Sequence, residues 1–287
     1  MRIRQTILVL SLLFAIPLLA QENDELGIWS EIGIEKSITK SWDVGLDMEY
    51  RAQNKARFST SLGTSYKLNK YLKFGLSYSF LYSEKNAYKD KSEGEIGSGD
   101  WTKGYKLITD DWYPRHRFSA EATGSIKLWS WFKISLRERY QLTRRRERNV
   151  NRLVHLENHV TEIIDWDEDF NPITEDHVYI TDKTEIKNYP ALTDQVLRSR
   201  LKLEYDKKRC PYSPFVSAEF HNSVSKGENM LLQKIRTSAG CSYKFRKHNE
   251  VSLSYTTTFY MYDIEEDATV RLHERRHAIC LGYKYSF

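Results

Sequence analysis

The chain has 287 residues, 44 Lys and Arg against 39 Asp and Glu, 13% aromatic residues and a mean hydropathy of -0.63. With 29% of its residues charged it has no room for the repeated runs of about 20 apolar residues that a helical membrane protein needs. Its 19 Tyr, 12 Phe and 7 Trp supply more buryable surface than a disordered chain carries, and three Cys cannot make a disulfide scaffold.

Arg2 and Arg4 precede an apolar run from Ile7 to Leu19, interrupted by Ser11 and Pro17, and Leu18-Leu19-Ala20 stands before Gln21. Residues 1 to 20 are therefore read as a cleaved secretory signal, since the run is too short for a membrane-spanning helix. The mature chain, residues 21 to 287, keeps 42 basic and 39 acidic residues, a near-neutral balance that gives no argument for nucleic acid.

From residue 28 onward apolar and polar residues alternate with period two, the pattern of strands with one apolar and one polar face. Ile28 to Ile38 opens the series. Trp42, Val44, Leu46, Met48, Tyr50 and Ala52 then interleave with Asp43, Gly45, Asp47, Glu49, Arg51 and Gln53. Phe58 to Leu68 and Leu72 to Tyr82 read as a hairpin across an Asn69-Lys70 turn. Phe118 to Leu128 and Phe132 to Leu142 repeat it across Trp129-Ser130, with Glu138 alone out of phase. Residues 196 to 205, 214 to 222, 233 to 245, 250 to 261 and 276 to 287 follow, which makes eleven candidate strands.

Short connections at 39 to 41, 69 to 70, 129 to 130, 206 to 212 and 246 to 249 alternate with longer ones, including the long loops 83 to 114 and 143 to 195. That segregation, with aromatics near strand ends, points to an all-β fold: a transmembrane antiparallel up-and-down β-barrel whose long loops are extracellular. A secreted soluble β-sandwich binding protein is the competing fold. Because such barrels normally have an even strand number, ten to twelve strands are expected. Either ten strands from Trp42 to Phe287 close the barrel while residues 28 to 38 pack elsewhere, or a further crossing exists.

The last segment places His277, Ile279, Leu281, Tyr283, Tyr285 and Phe287 on one face. The terminal Tyr283, Tyr285 and Phe287 resemble the C-terminal assembly signal of Gram-negative outer-membrane barrels, which implies the barrel-insertion machinery and outer-membrane lipid as partners. The stretches Trp29 to Arg51, Arg115 to Arg145 and Leu197 to Phe287, with Arg-x-Arg pairs at Arg115/Arg117, Arg137/Arg139 and Arg198/Arg200, resemble a family of outer-membrane barrels known only as a domain of unknown function. That resemblance implies a fold and a location in the outer membrane of a Gram-negative bacterium, and no reaction.

The polar faces carry Glu31, Asp43 and Arg51 together with a candidate lumen network of Glu35, Asp47, Glu49, Arg117, Glu121, Arg137, Arg139, Arg198, Arg200, Lys202, Glu204, Lys234 and Arg236. A basic sector facing an acidic one would line a narrow passive channel, and mutual ion pairing would fill it. His221-x-Ser223 is similar to the His and Ser spacing of outer-membrane phospholipases, so a membrane-embedded lipid acyl hydrolase is the alternative. Val216, Ala218 and Phe220 take the lipid side of that strand, however, which turns His221 and Ser223 inward with Ser217 and Glu219, away from lipid. Asp165, Asp167, Asp169 and Asp176 match calcium-loop spacing, but Phe170 stands where the sharp turn wants Gly. No metal or cofactor is expected. Cys210, Cys241 and Cys280 fall in a turn, on the lipid face and inward, so no disulfide is expected either.

Overall fold

The computed structural model describes residues 25–52, 56–85, 88–97, 100–108, 111–129, 131–225, 230–264 and 269–287; the expected signal segment lies outside them. The described residues are almost entirely strand: β1 (Glu25–Ser37), β2 (Trp42–Ala52), β3 (Arg57–Lys67), β4 (Leu72–Lys85), β5 (Tyr88–Gly97), β6 (Asp100–Ile108), β7 (Asp111–Leu128), β8 (Phe132–Arg145), β9 (Arg148–Trp166), β10 (Pro172–Tyr189), β11 (Leu192–Tyr205), β12 (Tyr212–Ser223), β13 (Leu231–Phe245), β14 (Asn249–Ile264) and β15 (Thr269–Ser286). They divide into two compact units.

In the first unit eleven strands close into a barrel, in the order β1, β15, β14, β13, β12, β11, β8, β7, β4, β3, β2. Closure leaves no edge strand with unpaired N–H and C=O groups. A soluble sandwich is thereby replaced by one continuous sheet. The strand number resolves the parity problem in a way neither sequence alternative foresaw. Residues 28 to 38 belong to the barrel, and no twelfth crossing is needed. Instead β1 pairs with β15 in parallel, from Glu25 opposite Arg276 to Glu35 opposite Ser286. In a meander of odd strand number the first and last strands run the same way, so the closing seam has to be parallel.

Period two places the side chains as the sequence pattern requires. Ile28, Ile32, Met48, Phe58, Leu62, Phe74, Leu76, Phe118, Leu201, Val216, Leu253 and Leu281 are exposed on the outside. Aromatics gather at the short-turn end, including Trp42, Tyr66, Tyr71, Trp131, Tyr212, Tyr243 and Tyr283, all exposed. The short connections are tied to their neighbours: Ser125 N–H donates to the Tyr71 carbonyl, Asp206 N–H to Trp131, Lys244 N–H to Pro211 and Phe287 N–H to Glu35. The first of these turns is wider than the two residues expected, because Asn69 Oδ1 accepts from both Tyr71 and Leu72 N–H and holds residues 68 to 71 out of both strands.

The segments read as long loops, 83 to 114 and 143 to 195, are not loops. Within them the second unit forms a four-stranded sheet in the order β10, β9, β6, β5. β9 and β10 pair over their whole length, turning at residues 167 to 171, where Asp167 Oδ1 accepts from Asp169 and Asn171 N–H. Phe170 there has a φ of 59°, the left-handed conformation in which Gly would be expected. The acidic run thus makes a hairpin tip, and among the described residues no His, Cys, Asp and Glu cluster could hold a metal ion. Arg152 pairs with Glu185 and Arg148 stacks over Tyr113 and Tyr189, so these two basic residues find partners outside the 165 to 176 acidic run.

Candidate functional site: a charged lumen

The inward residues along the middle of β3 and β4 are small: Ser59, Ser61, Gly63, Ser65, Gly75, Ser77 and Ser79 all line one cavity of about 470 Å³ inside the barrel. Large charged side chains from the remaining wall reach into the space these residues leave. Of the sequence-predicted network, Glu35, Asp47, Glu49, Arg117, Glu121, Arg137, Arg139, Arg198 and Arg200 line that cavity. Lys202, Glu204, Lys234 and Arg236 do not. Lys202 pairs with Glu204 at 3.1 Å, Lys234 lies 5.7 Å from the Tyr260 ring centroid, and Arg236 donates to Thr258 Oγ1 at 3.2 Å.

Three carboxylates organise the pairing. Glu219, 4% exposed, accepts from Arg198 Nη2 at 2.8 Å on each oxygen and from Arg137 Nη2 at 2.9 Å. Arg236 Nη1 and His221 Nε2 approach the same carboxylate at 4.0 and 3.4 Å. Glu49 takes Arg51 Nε and Nη2 at 2.8 and 2.7 Å, a bidentate geometry that carboxylate and guanidinium favour, and Arg57 at 2.6 Å. Glu121 accepts from Arg139 Nε at 2.7 Å. Outside these three groups, Asp43 binds Ser37, Lys67 and Lys73, while Lys284 pairs with Glu35. Trp29 sits between two of the cations, its ring 3.8 Å from the Arg51 and 5.0 Å from the Arg236 guanidinium carbon.

Sequence reading placed Glu219 inward without assigning it to the network, and missed Arg57 and Lys284. The same two-residue phase that found Glu49 and Arg117 would have reached all three. Arg57 immediately precedes Phe58, and Lys284 stands between Tyr283 and Tyr285, so both point inward.

His221 and Ser223 lie inside, as the strand phase required. Ser223 is fully buried with no hydrogen-bond partner for its hydroxyl, and His221 Nε2 also lacks one. No hydrogen bond joins the two among the described residues. The three Cys are free thiols.

A second polar cluster lies in the four-stranded sheet. His155 Nε2 meets Glu157 Oε1 at 3.0 Å and its Nδ1 meets Asp182 Oδ1 at 2.6 Å, while the ring stacks on Tyr105 with centroids 4.9 Å apart. The hydrogen bond to Glu157, seconded by Asp182, raises the His155 pKa above the ordinary histidine value. These pairs therefore stabilise the sheet fully below the unfolded-state pKa, and that contribution is lost as pH rises through the raised folded-state value. Titration of the His155 imidazole by NMR is expected to give a midpoint above 6.5, and a midpoint at or below it contradicts the pairing.

A closed, eleven-stranded barrel with an apolar exterior and an ion-paired lumen is the class of protein these features define. The chain belongs to the family described as "Protein of unknown function (DUF2490)", whose match covers residues 26–269. No curated protein matches it in sequence. Among solved structures, the chain is similar to a CymD monoaromatic hydrocarbon channel at 12% identity and a TM-score of 0.40, covering 84% of this chain and 85% of that one. It is also similar to the translocator domain of the autotransporter NalP from Neisseria meningitidis at 9% identity and a TM-score of 0.29, covering 90% of each chain.

Proposed function

We propose that the protein is an outer-membrane β-barrel of a Gram-negative bacterium acting as a narrow passive channel. The observation that carries this reading is the inversion of polarity: apolar side chains cover the outside of the barrel while guanidinium and carboxylate groups fill the inside, the reverse of what water favours. Barrel strands of 11 to 18 residues reach or exceed the roughly 9 to 11 needed to cross a bilayer at a tilt. The exposed aromatics at the short-turn end suit a membrane interface. In this reading outer-membrane lipid surrounds the barrel, residues 1 to 20 direct export, and the barrel-insertion machinery reads the outward Tyr283, Tyr285 and Phe287.

The test is the mobility of protein from an outer-membrane fraction on a denaturing gel, boiled and unboiled, followed by potassium chloride conductance in planar bilayers. A shift on boiling and a small stable conductance are expected. A protein that stays in solution without detergent and shows no shift overturns the membrane reading. A shift without conductance leaves a structural barrel and removes the channel.

Glu138 provides a separate check. It stands on the outer face of β8, out of phase with its neighbours, and accepts from Ser199 Oγ at 2.6 Å. A carboxylate facing lipid costs free energy, so Glu138→Leu is expected to raise stability in lipid vesicles by about 1 kcal/mol. Urea unfolding measures it, and a loss of stability would mean that this face meets water or another protein.

A further inference from the structure

We infer that the lumen cavity is a recognition site for a small zwitterion of the amino-acid class, carrying one ammonium and one carboxylate. The inference rests on the channel reading and deepens it.

Some lumen charges remain after the pairs are formed. Every cavity-lining cation of the Glu49, Glu121, Glu219, Asp43 and Glu35 groups has a carboxylate within salt-bridge distance. Among the described residues that line the cavity, four charged groups form no salt bridge: Glu31, Asp47, Arg117 and Arg200. They are not scattered. Glu31 and Asp47 lie on β1 and β2, neighbours in the sheet. Arg117 lies on β7 and Arg200 on β11, the two strands flanking β8. β2 is separated from β7 by the small-residue strands β3 and β4, so the surplus carboxylates and the surplus guanidiniums stand on different sectors of the wall. Arg117 spends one donor on Thr143 at 3.0 Å, and the buried Nε of Arg200 has no hydrogen-bond partner at all.

Two unpaired anions and two unpaired cations facing one space create a field across the cavity. A neutral sugar gains little from such a field. A simple anion gains from Arg117 and Arg200, and from the cation excess left where Glu49 and Glu219 are each shared by two arginines, but it leaves Glu31 and Asp47 without a counter-charge. A solute with both charges satisfies both sectors, its ammonium toward Glu31 and Asp47 and its carboxylate toward the guanidiniums, whose forked donors match a carboxylate. The volume, about 470 Å³, lies within the range of small-molecule sites.

The test uses full-length protein in liposomes, with swelling rates compared for L-glutamine, the neutral sugar arabinose and the dianion glutarate. Glutamine is expected to enter about fivefold faster than arabinose, the factor that two weak charge contacts supply. The ratio falls toward one in Glu31→Gln/Asp47→Asn and equally in Arg117→Gln/Arg200→Gln. It is unchanged in Lys127→Gln, whose partner Asp206 lies at the short-turn end. Equal rates for glutamine and arabinose overturn the inference while leaving the channel intact, and glutarate faster than glutamine overturns it in favour of an anion site. If no solute enters and no conductance is seen, the channel reading fails. Binding of radiolabelled glutamine to the detergent-purified protein then decides the inference alone: saturable binding lost in both double variants supports it, and its absence overturns it.

Discussion

Replacing Glu219 with Ala is expected to lower the unfolding free energy of the barrel by about 3 to 5 kcal/mol, the largest effect of any single lumen substitution. The reason is the imbalance left behind. Arg137 and Arg198, whose side chains are 11% and 12% exposed, both hydrogen-bond to this one carboxylate, and Arg236 and His221 crowd around it. Without Glu219, Arg198 and Arg236 are left buried as like charges with no carboxylate within salt-bridge distance among the described residues, and Arg137 keeps only Glu121, 3.9 Å away. Glu219→Gln keeps the shape and some hydrogen bonds but not the charge, and is expected to recover only a minor part of the loss. Glu49→Ala offers the comparison, because its side chain is 22% exposed and water can reach Arg51 and Arg57 after the change, so its cost is smaller. Urea unfolding in lipid vesicles, followed by tryptophan fluorescence, reads all three. A Glu219→Ala variant within about 1 kcal/mol of the parent would show that water or counter-ions already neutralise the cluster.

The second large effect is at Gly240. A Cβ atom there would fall 2.4 Å from Ser254 Cβ and 2.5 Å from the Leu253 carbonyl oxygen, atoms of the facing strand β14 that no rotamer change can move away. Gly240→Val therefore has to spread β13 from β14, and a loss of about 3 kcal/mol is expected, at the upper end of ordinary overpacking. The readout is the unfolding midpoint together with the fraction of protein showing the unboiled gel shift. Gly124→Ala is the control. Nothing lies within 4 Å of its added methyl, so reduced backbone freedom in the unfolded chain should make it neutral or slightly stabilising. Equal losses in the two variants would mean that the approach of β14 to Gly240 does not set the cost.

The barrel strands were legible because their alternation is strict. The segment read from Trp42 to Ala52 coincides with β2, and the phases of Phe118 to Leu128 and of Ile279 to Phe287 match the outward faces of β7 and β15, whereas His277, read on the same face, is buried against Tyr255 and Thr257. The strands of the second sheet were not legible. β5 runs Tyr-Lys-Asp-Lys-Ser-Glu-Gly-Glu-Ile-Gly, without an apolar face to betray it, and β10 exposes Val178, Tyr179 and Ile180 in succession. Such strands are specified by pairing, β5 with β6 and β10 with β9 as hairpins and β6 with β9 across some fifty residues, and pairing of this kind needs no period-two apolar face. The lumen was legible as a set of inward charges but not as a network. Phase determines that Glu219 points inward; only the closure of the sheet brings Arg137, from a strand not adjacent to β12, to the same carboxylate.

The parallel seam fixes the order in which the barrel can be completed. One edge of β1 pairs with the adjacent β2, but on the closing edge residues 25 to 35 pair with 276 to 286, at the far end of the chain, so the seam cannot form until β15 has been delivered. The loop closed in that step is nearly the whole polypeptide, and its entropic cost falls on a single event. Until then β1 and β15 each present a bare row of backbone donors and acceptors, which in hydrocarbon has no other partner. The protein is thus built like a bracelet whose two ends must be brought together before either is safe, and the hydrogen bond from Phe287 N–H to the Glu35 carbonyl, made by the last residue of the chain, is its clasp.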